Sequence, residues 1–154
     1  MKTAIGYLTG AMVAATGFAA TPAAAVVLDV LTRSTPTEAT DNAKTQLPLN
    51  DAGDVSFTYE AASPTEVFTF NAECVAEGPA GSYVEINITV DNHPTDPQSG
   101  KDSAFCSPTG NLVSASRMTT YTFTGRRLHT IRVYATGVGT TSWQLNSSLF
   151  LIQQ

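Results

Sequence analysis

The sequence predicts an all-β fold: an antiparallel β-sandwich with jelly-roll-like or immunoglobulin-like wiring and one disulfide. Three observations carry this. β-Branched and aromatic residues alternate with polar ones in short runs after Val26, turn chemistry recurs between the runs, and helix signals are nearly absent. A period of two gives each strand one face to bury, and strands without intervening helices do this by stacking two sheets.

The first run, "VVLDVL" at 26–31, reads as a strand, and the polar stretch "TRSTPTEATDNAKTQ" at 32–46 as a long excursion or flexible arm. "DVSFTYE" places Val55, Phe57 and Tyr59 on one face. "TEVFTFNAECVAE" aligns Phe68, Phe70, Ala72 and Cys74, with Glu66 the exception at the edge of that face. "GPAG" at 78–81 is turn chemistry and predicts a hairpin into "SYVEINITVD", where Val84, Ile86, Ile88 and Val90 alternate against Tyr83, Glu85, Asn87, Thr89 and Asp91. After a loop over 91–103 come the short "SAFCS", a turn at "SPTGN", and "RMTTYTFT", with Thr119, Tyr121 and Phe123 on one side. "GRR" connects tightly to "LHTIRVYAT", which aligns His129, Ile131, Val133 and Ala135. "GVGTT" then turns into "SWQLNSSLFLIQQ", a final strand led by Trp143 and Leu145. Tyr121 and Trp143 read as core.

The first 25 residues begin with Lys2, continue through an Ala- and Gly-rich apolar stretch and end in Ala23-Ala24-Ala25. That is the pattern of a secretory signal peptide, and it predicts cleavage after Ala25 and a single mature domain over 26–154. Thr9, Gly10, Thr16, Gly17 and Pro22 interrupt the stretch, so it falls short of the about 20 predominantly apolar residues of a membrane span. No later stretch suits one either. Cys74 and Cys106 are the two cysteines of the chain, and in an oxidising compartment an even count predicts one bridge with a single connectivity. The net charge is −5, and apart from Arg126-Arg127 the cations are scattered, a composition that disfavours nucleic-acid binding.

A catalytic set is hard to assemble. The two histidines are His93 and His129, and no G-x-S-x-G elbow occurs. His129 sits on an apolar face and reads as a buried strand residue bonded to a backbone carbonyl. Glu60, Glu66, Glu73, Glu77 and Glu85 fall on strands or at their ends, where a solvated outer face explains them without the paired carboxylates of a glycosidase. The loop "TVDNHPTDPQSGKDSAFC" gathers Asp91, His93, Asp96 and Asp102 as oxygen and imidazole donors, beside the flexible Ser99-Gly100. Calcium takes six to eight oxygens, and the spacing here differs from the acidic alternation of its common loop. Pro94 and Pro97 stiffen the same stretch into turns, so a connector and a ligand or calcium loop both remain open. The N-x-[ST] matches at Asn87 and Asn146 fall in predicted strands.

From Gly125 to Ile152, "GRRLHTIRVYATGVGTTSWQLNSSLFLI" resembles the closing hairpin of secreted bacterial jelly-roll domains of the C1q or tumour-necrosis-factor type, and "SYVEINITVDNH" is similar to their central strand and following loop. The resemblance implies a binding or structural module, often trimeric, without catalytic residues. Pilus subunits differ, because they place the disulfide near the mature N-terminus and carry a penultimate Tyr where this chain ends "SLFLIQQ". The expected function is a secreted, non-enzymatic module for binding or assembly at or outside the cell surface. A glycan or protein ligand would meet loops at one sandwich end, including 91–103, and exposed aromatics such as Tyr83 and Tyr134. The alternatives are a homo-oligomeric subunit that pairs through strands or sheet faces, with 26–31 exchanged about a hinge at 32–46, and a metal-dependent or glycan-active enzyme.

Overall fold

The computed structural model describes residues 26–154 other than 41, 101, 102 and 126; the signal-peptide segment 1–25 lies outside the described residues. The alternating runs become ten strands: β1 (Val27–Arg33), β2 (Thr37–Ala39), β3 (Thr45–Gln46), β4 (Phe57–Glu60), β5 (Thr65–Glu77), β6 (Tyr83–Val90), β7 (His93–Pro94), β8 (Val113–Thr122), β9 (Leu128–Val138) and β10 (Ser142–Gln153). They pair antiparallel in a nested series: β6 with β7, β5 with β8, β4 with β9, and β1 with β10. Rolling that nest brings β10 against β5 and β9 against β6. Sheet A then runs β1-β10-β5-β8, with β2 also on β10, and sheet B runs β3-β9-β6-β7, with β4 also on β9. This is jelly-roll wiring.

Consecutive long strands therefore lie in different sheets. The turn at 78–81 is not the expected hairpin: it crosses from β5 in sheet A to β6 in sheet B. The reason is the core. Phe68, Phe70, Cys74 and Ala76 of β5 and Val84, Ile86, Ile88 and Val90 of β6 all bury one face, and those faces meet only across two layers. Gly78 makes the crossing tight, since its φ is +151° and a Cβ there would lie 3.0 Å from Gly139 O and Ser82 Oγ. Ser82 Oγ donates to Pro79 O at 2.6 Å and to Gly139 O at 2.9 Å, tying this crossing to the β9–β10 one.

The expected inner faces of β5, β6 and β9 are buried as aligned, with Trp143, Leu145, Phe150 and Ile152 completing the layer from β10. Full burial of such side chains stabilises by about 1.5–3 kcal/mol each. Leu145 and Phe150 both face inward although five positions apart, because Asn146 and Ser147 together oppose Glu73 in a β-bulge. The bulge shifts the phase of β10 by one residue. Val55 departs from expectation: the strand starts at Phe57, and Val55 is exposed.

Residues 32–46 are laid along both sheets. Thr37–Ala39 pairs with β10 and Thr45–Gln46 with β9. Asp51 fastens their start: its carboxylate accepts from Ser34 N (2.9 Å), Ser34 Oγ (2.7 Å), Thr35 N (3.1 Å) and Thr35 Oγ1 (3.1 Å). Those donors, Ser34 foremost, hold the Asp51 carboxyl down at about 2 against an ordinary 3.8.

The described residues of 93–106 close one side of the sandwich. Thr95 N donates to Ile88 O at 3.1 Å, Asp96 and Thr120 exchange both backbone bonds, and Arg117 donates to Pro97 O. Phe105 N donates to Val84 O at 2.7 Å and Val84 N to Cys106 O at 2.8 Å. Cys106 thus lies on the edge of β6 in sheet B while its disulfide partner Cys74 belongs to β5 in sheet A, with 6.2 Å between Cα atoms. The bridge crosses the core as well as pinning the connection to a sheet edge.

Two outcomes follow. Replacing both cysteines by Ala lowers unfolding free energy by up to about 3–4 kcal/mol, the loop-entropy scale for the 32-residue separation, as read by urea denaturation. Because the Asp51 pKa is depressed on folding, its stabilisation is present above pH 3.8 and is lost as pH falls towards 2. Thermal melts across that window fall less steeply for Asp51→Asn than for the wild type.

Candidate functional site

At one end of the sandwich the 61–64 and 123–127 loops and the β6–β7 turn converge. Asp91 and Asn92 form that turn with φ of 50° and 68°, and Val90 pairs with His93 across it. Positive φ at both central positions is what a two-residue turn between twisted strands requires, and Asp and Asn tolerate it. The turn aims Asp91 back onto β9. Its Oδ1 accepts from Thr130 N at 2.9 Å, its Oδ2 meets His129 Nδ1 at 2.9 Å, and Arg127 lies 3.5 Å away. The Thr130 amide, then His129, holds the Asp91 carboxyl below the usual carboxylate range. His129 is buried as expected, but its partner is this carboxylate in place of a backbone carbonyl.

Behind it lies a buried polar knot that sequence reasoning missed. Tyr59 is the cross-strand partner of His129, and Glu66 enters from β5 with no exposed surface. Glu66 is an inward residue, not an edge one: its Oε1 accepts from Ala62 N (2.7 Å) and Ser63 N (3.0 Å), capping the β4–β5 loop. Burial, then the Glu66 carboxylate, pushes the Tyr59 hydroxyl up to about 12. His129 Nε2, Tyr59 Oη and Glu66 Oε2 are buried without a hydrogen bond of sound geometry. The neighbouring cavity of about 190 Å³ is lined by Ala61, Ala62, Ser63, Pro64, Phe123 and Gly125, so none of these three polar heads opens into it. Phe123 packs over His129 with ring centres 4.6 Å apart. Through Glu66 the knot anchors the β4–β5 loop.

The other predicted site residues are dispersed. His93 is exposed on β7, and Asp96 is exposed and engaged through its backbone with Thr120. Asp102 lies outside the described residues. Among the described residues no group of three or more His, Cys, Asp or Glu could hold a metal ion. Tyr83 and Tyr134 are half-buried on sheet B, and Lys44 Nζ stands 4.0 Å above the Tyr134 ring, where a cation occupies the face a sugar would stack on.

The more distinctive surface is the outer face of sheet A. Three rows cross its four strands: Val27, Gln153, Val67 and Thr120; Val30, Leu151, Thr69 and Met118; Thr32, Leu149, Asn71 and Ser116. None of the twelve is charged. Val27, Val30 and Met118 are 50%, 48% and 62% exposed, with Leu149, Leu151 and Val67 half-buried between them. Beyond the third row, at the bulge, the face hollows into an open depression of about 390 Å³ bordered by β5, β8 and β10. The signal for this face was the run "LFLI" at 149–152, which makes both faces of β10 apolar.

No protein-family model matches the chain, and no curated protein matches it.

Asp91→Ala leaves the Thr130 amide and the buried His129 Nδ1 without their acceptor, and an unsatisfied buried donor costs about 1–3 kcal/mol. Urea denaturation of Asp91→Ala shows a loss of that size, whereas His93→Ala, at an exposed position, changes stability by less than about 0.5 kcal/mol.

Proposed function

We propose that the protein is a non-enzymatic β-sandwich module of the extracellular or periplasmic space that works by surface contact, assembling with further copies of itself through the outer face of sheet A. The observation that carries this reading is the distribution of charge. On a chain of net charge −5, a four-strand face holds three rows without one charged side chain, and exposes Val30 and Met118 beside Leu149 and Leu151. Two acidic molecules repel wherever their carboxylates meet. This is a face on which a second copy brings no like charge into contact and removes apolar side chains from water on both partners, the self-complementary arrangement of a two-fold interface.

Its neighbourhood supports the same partner. The edge of β1 beside this face carries the exposed Val26, Val27 and Val30, with no Lys or Pro to discourage strand pairing. The Cys74–Cys106 bridge, and the absence among the described residues of a helix long and apolar enough to cross a membrane, are compatible with an extracellular or periplasmic location.

Light scattering during size-exclusion chromatography tests the reading. The wild type elutes as a dimer or larger species, and Met118→Glu or Leu151→Glu shifts it to monomer while the Met118 variant, altered at an exposed position, keeps its melting temperature. A wild type that stays monomeric at its highest soluble concentration, or a Met118→Glu variant that assembles unchanged, contradicts it.

A further inference from the structure

The depression at the β10 bulge begins at the third row, and its chemistry differs from that of the first two. Five hydrogen-bonding side chains on the outer face border it: Asn71 and Glu73 from β5, Ser114 and Ser116 from β8, and Ser147 from β10. No hydrogen bond or ion pair joins any of these five side chains to another described residue. By contrast Ser34, Ser63, Ser82, Ser99, Ser103 and Ser142 each donate to a protein acceptor. Leu149 adds apolar surface, and Ala72, Ala115 and Ser148, on the core-facing side of the same strands, complete the lining.

We infer that this depression is a binding site for a neutral, hydroxyl-rich ligand, a saccharide unit of an oligosaccharide or polysaccharide. Glu73 and the acidity of the chain disfavour an anion, and a single carboxylate among neutral groups gives a cation little to choose it by. Serine hydroxyls donate and accept, the Asn71 amide does both from one plane, and Glu73 only accepts. That mixture matches vicinal hydroxyls, which donate and accept at adjacent carbons, and Leu149 offers apolar surface to the C–H face of a sugar ring. The volume of about 390 Å³ falls in the range of small-ligand sites. An extended peptide fits less well, because β5, which runs beneath the depression, is an interior strand flanked by β10 and β8 and offers no free edge for strand addition.

The bulge creates the site. Placing Asn146 and Ser147 against Glu73 alone bends β10 and brings Ser147 beside Glu73, across β5 from Ser114. The site shares Leu149, Asn71 and Ser116 with the third row of the apolar face, whereas Glu73, Ser114 and Ser147 lie outside the three rows.

The test is a ¹H–¹⁵N NMR titration of the purified protein with maltose, cellobiose, chitobiose and mannobiose, with sulfated dextran as the charged control. At least one neutral disaccharide shifts the amides of Asn71, Glu73 and Ser114–Ser116 in a saturable way. Asn71→Ala and Ser116→Trp each weaken that binding at least tenfold, whereas Met118→Glu, which sits on the apolar row, leaves it within twofold. Retained dispersion of the variant spectra separates loss of binding from loss of fold. Three results overturn the inference: no saturable shift with any of the four disaccharides, shifts confined to other surfaces such as Tyr83 and Tyr134, or binding of the sulfated polymer alone.

Discussion

One extra residue in β10 organises both faces of sheet A. Without the bulge opposite Glu73, the strand that puts Trp143 and Leu145 into the core would turn Phe150 and Ile152 out to water and bury Leu149 and Leu151. With it, all four large residues reach the core, where Phe150 packs against Phe68 with ring centres 6.0 Å apart and against Phe57 at 5.8 Å. The displaced pair, Leu149 and Leu151, becomes the apolar stripe of the outer face, and the kink itself becomes the depression. Core closure, contact face and candidate ligand site are consequences of a single phase shift.

The closed side of the sandwich solves a second problem. A jelly roll leaves an opening between the outer strands of its two sheets, and here the chain fills it with its longest connection. Thr95, Phe105 and Cys106 bond to β6 and Asp96 to β8, Arg117 reaches out from the core to Pro97 O, and Cys106 is bridged to the middle of sheet A. Of the residues that made this stretch look like a ligand loop, Asp91 is a turn residue fastened to β9, Asp96 is held by its backbone, and His93 is exposed.

Strand periodicity made most of the fold legible. β5, β6 and β9 bury the residues whose alternation marked them, and the disulfide is the single pairing the cysteine count allowed. What the pattern did not carry was the sheet to which each strand belongs. A Gly-Pro turn at 78–81 serves a hairpin or a crossing equally well, and only the mutual burial of β5 and β6 decides between them. Glu66 was misplaced for a related reason: a carboxylate in an apolar run looks like an edge, whereas loop amides at Ala62 and Ser63 satisfy it in the interior. The surface sites were least legible. Asn71, Glu73 and three serines from three strands distant in sequence become neighbours only through register, although the five-residue step from Leu145 to Phe150 contained the sign of the bulge that gathers them.

The outer face of sheet A is the surface proposed to join one copy of this protein to the next. Methyl cross-saturation NMR addresses it most directly, with deuterated, methyl-labelled protein mixed with unlabelled protein and the unlabelled partner irradiated. The account predicts signal loss concentrated on the methyls of Val30, Met118, Leu149 and Leu151, with Ile86, Ile131 and Val133 in the core unaffected. Loss centred instead on sheet B, or no loss anywhere, would contradict it.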